Sequence, residues 1–300
     1  MSTKKTSIWF VVNPISGTRR KRKLPTLIKR HLNHDKFDYH IYYTKYKGHA
    51  GELAKDATNK KIDIVCAVGG DGSAHEVGIN LINTGSSLAI IPWGSGNGIS
   101  NHMGIPLRTI KAISCLNQYH KIDIDTVSVN NSHFLGIGGY GIDAFIAKKF
   151  QEEKKRGLKT YIKHTLKEFY KFKPVKVNIQ IGEENKTVHA FLLSIANTSE
   201  FGNKFSISPK SSVRDGILEM IIVKPFPKWQ SPFLVARFIR KKGDQSKFVD
   251  TIPFKKATLR LSSDLAHYDG EHTAETKNIN IEVIPKSLSI VVNKNKVSKI

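Results

Sequence analysis

The sequence predicts an α/β + β chain: an open α/β sheet with phosphate-binding glycine loops over residues 1–125, then a β-sandwich-like domain over residues 126–300. Three observations carry this reading. Three apolar runs of strand length each end in a turn rich in Gly, Ser and Asn within the first hundred residues. Helical stretches separate them, as βαβ units require. After about residue 120 the texture changes to short β-branched runs divided by polar turns.

The first run, Ser7–Val12, leads into Asn13-Pro14-Ile15-Ser16-Gly17 and a basic helical stretch from Arg20 to His34. The second, Ile62–Val68, leads into Gly69-Gly70-Asp71-Gly72-Ser73 and then a helix carrying His75 and Glu76. Glycines let the backbone bend sharply and bring its N–H groups close to a ligand. A helix opening at such a turn presents unpaired N–H groups and its positive dipole end to a phosphate. An aspartate there would repel a bare phosphate, so nucleotide plus Mg²⁺ is the natural occupant. The third run, Leu88–Ile91, leads into Pro92-Trp93-Gly94-Ser95-Gly96-Asn97-Gly98. Loops at the carboxyl edge of a parallel sheet are where open α/β folds bind ligands. The chain contains no G-x-x-x-x-G-K-[ST], which excludes a P-loop, and none of the three glycine turns spells G-x-G-x-x-G.

In the second domain, strands are expected at Ile122–Val129, His133–Ile137, Val175–Ile181, Val188–Ala196, Ile217–Val223, Ala257–Leu261, Ile279–Val283 and Leu288–Val292. Helices are expected near Asp143–Phe150 and Leu158–Phe172. The final strand has the option of returning to the first domain. Asp215-Gly216 and Asp269-Gly270-Glu271 are polar turns, and either also reads as a plain hairpin.

The formal net charge is +23, from 48 Lys and Arg against 25 Asp and Glu, which calls for an anionic partner. From Lys154 to Lys173 the chain carries eight basic residues, with Lys159, Lys163, Lys167 and Lys171 forming one helical stripe. That pattern suits a membrane-surface helix, and equally one that packs its apolar side on its own domain. At 39% hydrophobic the chain can build a core. Two cysteines, Cys66 and Cys115, provide no disulfide framework. No apolar run approaches the roughly 18–20 residues of a spanning helix. The N-terminal residues lack the apolar core of a signal peptide, so a cytoplasmic location is expected.

In order along the chain, Asn13-Pro14-x-Ser16-Gly17, Thr44-x-x-x-Gly48-His49, Gly69-Gly-Asp-Gly-Ser73 with Glu76, Gly94-Ser-Gly-Asn97, Asp215-Gly216 and Asp269-Gly270-Glu271 resemble the diacylglycerol kinase catalytic-domain family. That family includes bacterial lipid kinases and sphingosine and ceramide kinases. Single motifs are shared with NAD kinases and phosphofructokinases, whereas the ordered set is specific. The resemblance implies ATP held in a cleft between the two domains by Asn13–Gly17, Thr44, Gly69–His75 and Ser95. It implies a Mg²⁺ network at Asp71 with Asp125 as partner, Asp123 being the other candidate. It implies a structural metal at Asp215 with the carbonyls of Ser212 and Ile217, and Glu271 as general base beside Asp269.

The implied acceptor is a hydroxyl of a membrane lipid, reached from the anionic inner leaflet. From apolar and aromatic content alone, acyl chains are expected to enter a cleft in or beside the β domain through Phe226–Phe238. Family members often form homodimers, and no nucleic-acid partner is expected. Several relatives have an acid where this chain has Gly98, a departure shared with the sphingosine and ceramide branch. The alternatives are an NAD kinase-like soluble kinase and an inactive basic binding protein of the same fold.

Overall fold

Residues 64–69 and 87–92 are buried at every position, the signature of parallel strands covered on both faces. They belong to the first of two units into which the computed structural model divides, residues 1–126 with 285–300. The second unit is residues 127–284. The structure describes residues 5–17, 21–152, 169–202, 205–274 and 276–294.

The first unit contains β1 (Thr6–Val12), α1 (Leu24–His31), β2 (Phe37–Tyr43), α2 (His49–Asn59) and β3 (Ile64–Gly69). α3 (Asp71–Gly78), β4 (Ser87–Pro92), α4 (Gly98–His102) and α5 (Thr109–Asn117) follow. Its strands run parallel in the order β2-β1-β3-β4. Ile8, Phe10 and Val12 of β1 pack with Leu24 and Ile28 of α1 and Ile113 of α5. The helix expected over Arg20–His34 is shorter. Pro25 in its first turn starts it late, because Pro fits only where no intrahelical N–H is required. Leu32 is already extended, which ends it. Burial pushes the Cys66 thiol on β3 far up, so it stays protonated among its apolar neighbours.

β5 (Tyr119–Val129) runs into the second unit, which continues with β6 (Ser132–Phe134), β7 (Ile137–Gly141) and α6 (Ile142–Glu152). β8 (Val175–Ile181), β9 (Glu184–Ala190), β10 (Leu192–Ala196), β11 (Glu200–Gly202), β12 (Phe205–Ser206) and β13 (Leu218–Val223) come next. The unit ends with α7 (Ser231–Ile239), β14 (Val249–Phe254), β15 (Lys256–Leu261), β16 (Leu265–Tyr268), β17 (Glu271–Ala274) and the start of β18 (Asn278–Asn293). One antiparallel sheet has the order β14-β13-β10-β7-β16-β17. The other has β18-β15-β8-β9. Leu193, Ile195 and Ile222 from one sheet share a core with Val177, Leu259 and Ile281 from the other, which makes a sandwich. The alternation in β8 and in residues 278–283 supplies the inward faces.

Three expected strand assignments change. His133–Ile137 spans the end of β6, which pairs with β5, and only the first residue of β7, which pairs with β10 and β16. The run Val188–Ala196 is two strands: β9 pairs with β8, whereas β10 joins the other sheet between β7 and β13. The break falls at Phe191, whose N–H donates to the Val223 carbonyl at 2.8 Å. Conversely, Ile279–Val283 and Leu288–Val292 are one sixteen-residue strand. Its first part pairs with β15, and its last part lies parallel to β4 through Ile290 and Leu88. Lys286 takes a positive φ of 49° between the two parts, and the burial alternation shifts there. The helix expected at Leu158–Phe172, with Lys159, Lys163 and Lys167, lies outside the described residues before Phe169.

Ile290 is fully buried in β18. Ile290→Ala should lower the stability of the first unit by about 3 kcal/mol, read as an earlier denaturation midpoint. An unchanged midpoint would mean that the strand's tail is no part of that unit's core.

Candidate active site

Because β3 lies between β1 and β4, the three glycine turns that follow these strands are neighbours. The Asn13 N–H donates to the Val68 carbonyl (3.1 Å), and its side-chain Oδ1 accepts from the Ile15 N–H (3.1 Å). The Ser16 hydroxyl closes the same turn on the Asn13 carbonyl (3.2 Å), with Pro14 inside it. Gly17 has a φ of +65°, and a Cβ there would lie 2.3 Å from the Trp93 carbonyl oxygen. The first turn therefore presses on the third. The Trp93 N–H in turn donates to the Gly69 carbonyl at 2.6 Å.

The second and third turns meet backbone to backbone. A Cβ on Gly94 would stand 2.4 Å from the Gly70 Cα, and one on Gly69 would stand 2.2 Å from the Ser73 Oγ. Neither space can hold a methyl group. Asn97, with a φ of +56°, locks the third turn by reciprocal bonds: its Oδ1 accepts from the Gly94 N–H and its Nδ2 donates to the Gly94 carbonyl. Ser95 is exposed at the tip of that turn, beside Gly96. Asp71 opens α3 with Gly72, and its Oδ1 accepts from the Ile99 N–H of α4 at 3.2 Å. This carboxylate thus ties two of the loops together.

Thr44 follows β2 and donates its N–H to the Val12 carbonyl at 2.9 Å, which sets it beside the first turn. Glu76 accepts from the Gly48 N–H at 3.2 Å and so holds the start of α2. His75, on α3, is half-buried. Asp125 and Asp123 are separated by burial: Asp125 is 1% exposed and Asp123 faces solvent. The Asp125 Oδ1 accepts from the Lys286 N–H at 2.8 Å. A buried polar group is stabilised by such a partner.

In the second unit, Asp269 (φ +50°) and Gly270 (φ +86°) form the two-residue turn between β16 and β17. Two successive positive φ values match the twist of a tight hairpin. The Asp269 carboxylate is buried and accepts three backbone N–H groups, from Leu135 (2.9 Å), Gly136 (2.7 Å) and Ile137 (3.1 Å). With its oxygens so engaged it anchors the hairpin. Glu271, the first residue beyond the turn, is half-buried opposite Tyr268. Asp215 accepts from the Ile217 N–H (3.0 Å) within its own turn, and Ser212 caps the Arg214 N–H (3.3 Å). Among the described residues, no three His, Cys, Asp or Glu side chains converge as a metal cluster.

The motif reading missed three features. Trp93 is the contact that aligns the first and third turns, and its partner Gly17 gave no hint of it. The Ile99 N–H donates to Asp71. The buried His267 on β16 pairs its Nε2 with Oδ2 of the half-buried Asp143 at 3.1 Å, and the Ser194 hydroxyl lies 3.3 Å from the same oxygen. The sequence signal for this pair was Gly139, where a Cβ would lie 2.1 Å from Asp143 and 2.2 Å from His267. A glycine inside a strand often marks such an approach.

Residues 7–129 match the family model of the diacylglycerol kinase catalytic domain. Residues 136–292 match that of the YegS C-terminal NAD kinase beta sandwich-like domain. The chain belongs to the diacylglycerol kinase catalytic-domain family of lipid kinases. Among its relatives in this family, a diacylglycerol kinase of Bacillus subtilis is 25% identical over 279 residues, covering 91% of this chain and 84% of that one. An uncharacterized protein, sll0036, of Synechocystis is 27% identical over 300 residues, 94% of this chain and 69% of its own. The crystal structure of a diacylglycerol kinase from Bacillus anthracis superposes with a TM-score of 0.74 at 21% identity, over 98% of this chain and 100% of that one. At that identity the likeness shows the shared fold. The match to the second family model extends to residue 292, although Pro285–Val292 belong to the first unit.

Two substitutions probe the loops and the hairpin. Gly94→Ala must push the second and third turns apart, so ATP affinity measured by calorimetry should fall at least about tenfold while far-ultraviolet circular dichroism keeps its native shape. Asp269→Ala leaves three buried N–H groups without their acceptor. It should cost about 3 kcal/mol or more, whereas Glu271→Gln should leave the denaturation midpoint nearly unchanged.

Proposed function

We propose that the chain transfers the γ-phosphate of ATP to a hydroxyl of a membrane lipid of the diacylglycerol or sphingoid and ceramide type, with Mg²⁺. The observation that carries the reading is the convergence of three turns on a patch with no room for side chains, at the carboxyl edge of a parallel sheet. Such a patch leaves backbone N–H groups as its chemistry, and these suit phosphate oxygens. Family membership supplies the reaction type.

Each residue then has a task. The Gly69–Ser73 and Gly94–Asn97 turns hold the phosphates, and Asn13–Gly17 with Thr44 hold the rest of the nucleotide. Hard oxygen donors at Asp71 and Asp125 suit Mg²⁺, which when bound neutralises charge on the phosphates. Asp215, with the Ser212 and Ile217 carbonyls, offers oxygen ligands of the same kind for a structural cation. Glu271 takes the proton from the attacking lipid hydroxyl. Phosphoryl transfer needs positioning and charge compensation more than covalent help, so this division of labour is sufficient. The +23 charge supports residence at the anionic inner face of the membrane.

The test is transfer of label from γ-labelled ATP with Mg²⁺ to a lipid panel in anionic mixed micelles, with NAD as a soluble acceptor. Labelled lipid is expected. Glu271→Ala should reduce kcat by about 10²-fold or more with ATP binding retained, and Asp71→Ala should lose transfer as well. Labelled NADP instead of lipid would overturn the reading in favour of a soluble kinase.

A further inference from the structure

The helix α7 is apolar on both of its faces. Leu234 and Phe238 enter a core with Ile221, Val223 and Val249. Phe233, Val235 and Ile239 point the other way and are 69%, 44% and 53% exposed, and Trp229 in the turn before the helix is 70% exposed. A helix hydrophobic all round belongs in a buried setting, and a contiguous exposed apolar face marks a place where something docks.

A second segment joins this face. Lys228, next to Trp229, donates its ammonium hydrogens to the carbonyls of Phe169, Tyr170 (2.9 Å) and Phe172 (3.4 Å), and stands 5.3 Å from the Phe169 and Phe191 rings. It thereby fixes Tyr170, itself 62% exposed, beside the turn that carries Trp229. Trp and Tyr combine an apolar body with a polar tip and favour the boundary between water and lipid.

The rim of this face is cationic. Arg237, Arg240, Lys241 and Lys242 are all exposed at the end of α7, and Lys171 and Lys173 flank Tyr170's segment. The acids on adjoining segments are already engaged: Glu200 pairs with Lys241 at 3.1 Å, and Asp244 with Lys210 at 3.3 Å.

We propose that the outward face of α7, with Trp229 and Tyr170, is the surface on which this chain docks onto an anionic lipid bilayer. The aromatic and aliphatic side chains enter the acyl boundary while the basic rim meets lipid phosphates. Charge decides the occupant. A two-fold contact between copies would set this rim against itself, whereas an anionic bilayer neutralises it. The inference rests on the lipid-kinase reading, since that substrate resides in a membrane.

The test uses the full chain and vesicles of phosphatidylglycerol in phosphatidylcholine, without ATP or any lipid acceptor. Trp9 and Trp93 are buried, at 4% and 9% exposure, so a change in tryptophan emission on binding reports Trp229. We expect co-sedimentation with the anionic vesicles, a blue shift of emission, and loss of that shift in Trp229→Phe with binding retained. The neutral double variant Phe233→Ser/Ile239→Ser should bind at least tenfold more weakly while keeping its circular dichroism. Arg240→Gln/Lys241→Gln/Lys242→Gln should lose most of the preference for phosphatidylglycerol over pure phosphatidylcholine. Undiminished binding of the double variant, or an emission spectrum unmoved by vesicles, would overturn the proposal. So would a wild-type dimer in light scattering that the double variant dissociates without weakening vesicle binding. The readout needs no catalysis, so a chain that docks but transfers no phosphate upholds this surface and removes only the kinase reading.

Discussion

The contact between Gly70 and Gly94 brings two backbones closer than any side chain permits, and the geometry of the first unit follows from it. A Cβ on Gly94 would come within 2.4 Å of the Gly70 Cα. The approach is available only because β3 and β4 end level, with Gly69 opposite Pro92. β1 ends level on the other side, with Val12 opposite Val68. Parallel order and register thus deliver three loops to one edge, and Gly17 packing on Trp93 completes the set. β3 and β4 are buried on both faces, so packing on each side holds their register and with it the loops. Stability of the sheet and shape of the patch where the glycine turns meet are one constraint.

The second unit solves a different problem, that of holding one carboxylate at a hairpin tip. Asp269 is buried and would be costly alone, yet three N–H groups from Leu135 to Ile137 satisfy it. These bonds tie the β16–β17 turn to the strand segment that begins β7. The turn itself uses positive φ values at both central positions. Glu271 follows directly, so its backbone position inherits the rigidity of the anchor. Asp269 therefore sets where β17 begins.

Electrostatics and apolar exposure point in the same direction on α7. A chain with an excess of 23 positive charges has little reason to leave Trp229 and Phe233 in water unless that face has a use. The same helix anchors itself by Leu234 and Phe238, so the exposed side is not a consequence of poor packing.

The glycine turns, the Asp-Gly hairpin and the change from α/β to β texture were determined by the sequence alone, because each is a local requirement of backbone conformation or strand periodicity. The boundary at Phe191 was not, since Val188–Ala196 reads as one apolar run and only the choice of partner sheets divides it. The joining of Ile279–Val283 to Leu288–Val292 was equally hidden, because Lys286 adopts a conformation that local propensity disfavours and its N–H finds Asp125, 161 residues away. Asp123 and Asp125 look equivalent in a strand pattern, and burial distinguishes them. The exposed face of α7 also waited for the tertiary structure, since an apolar helix reads the same whether both faces are covered or one. Local chemistry is written in short spacings, whereas partners, burial and loop-to-loop contact depend on residues distant in the chain.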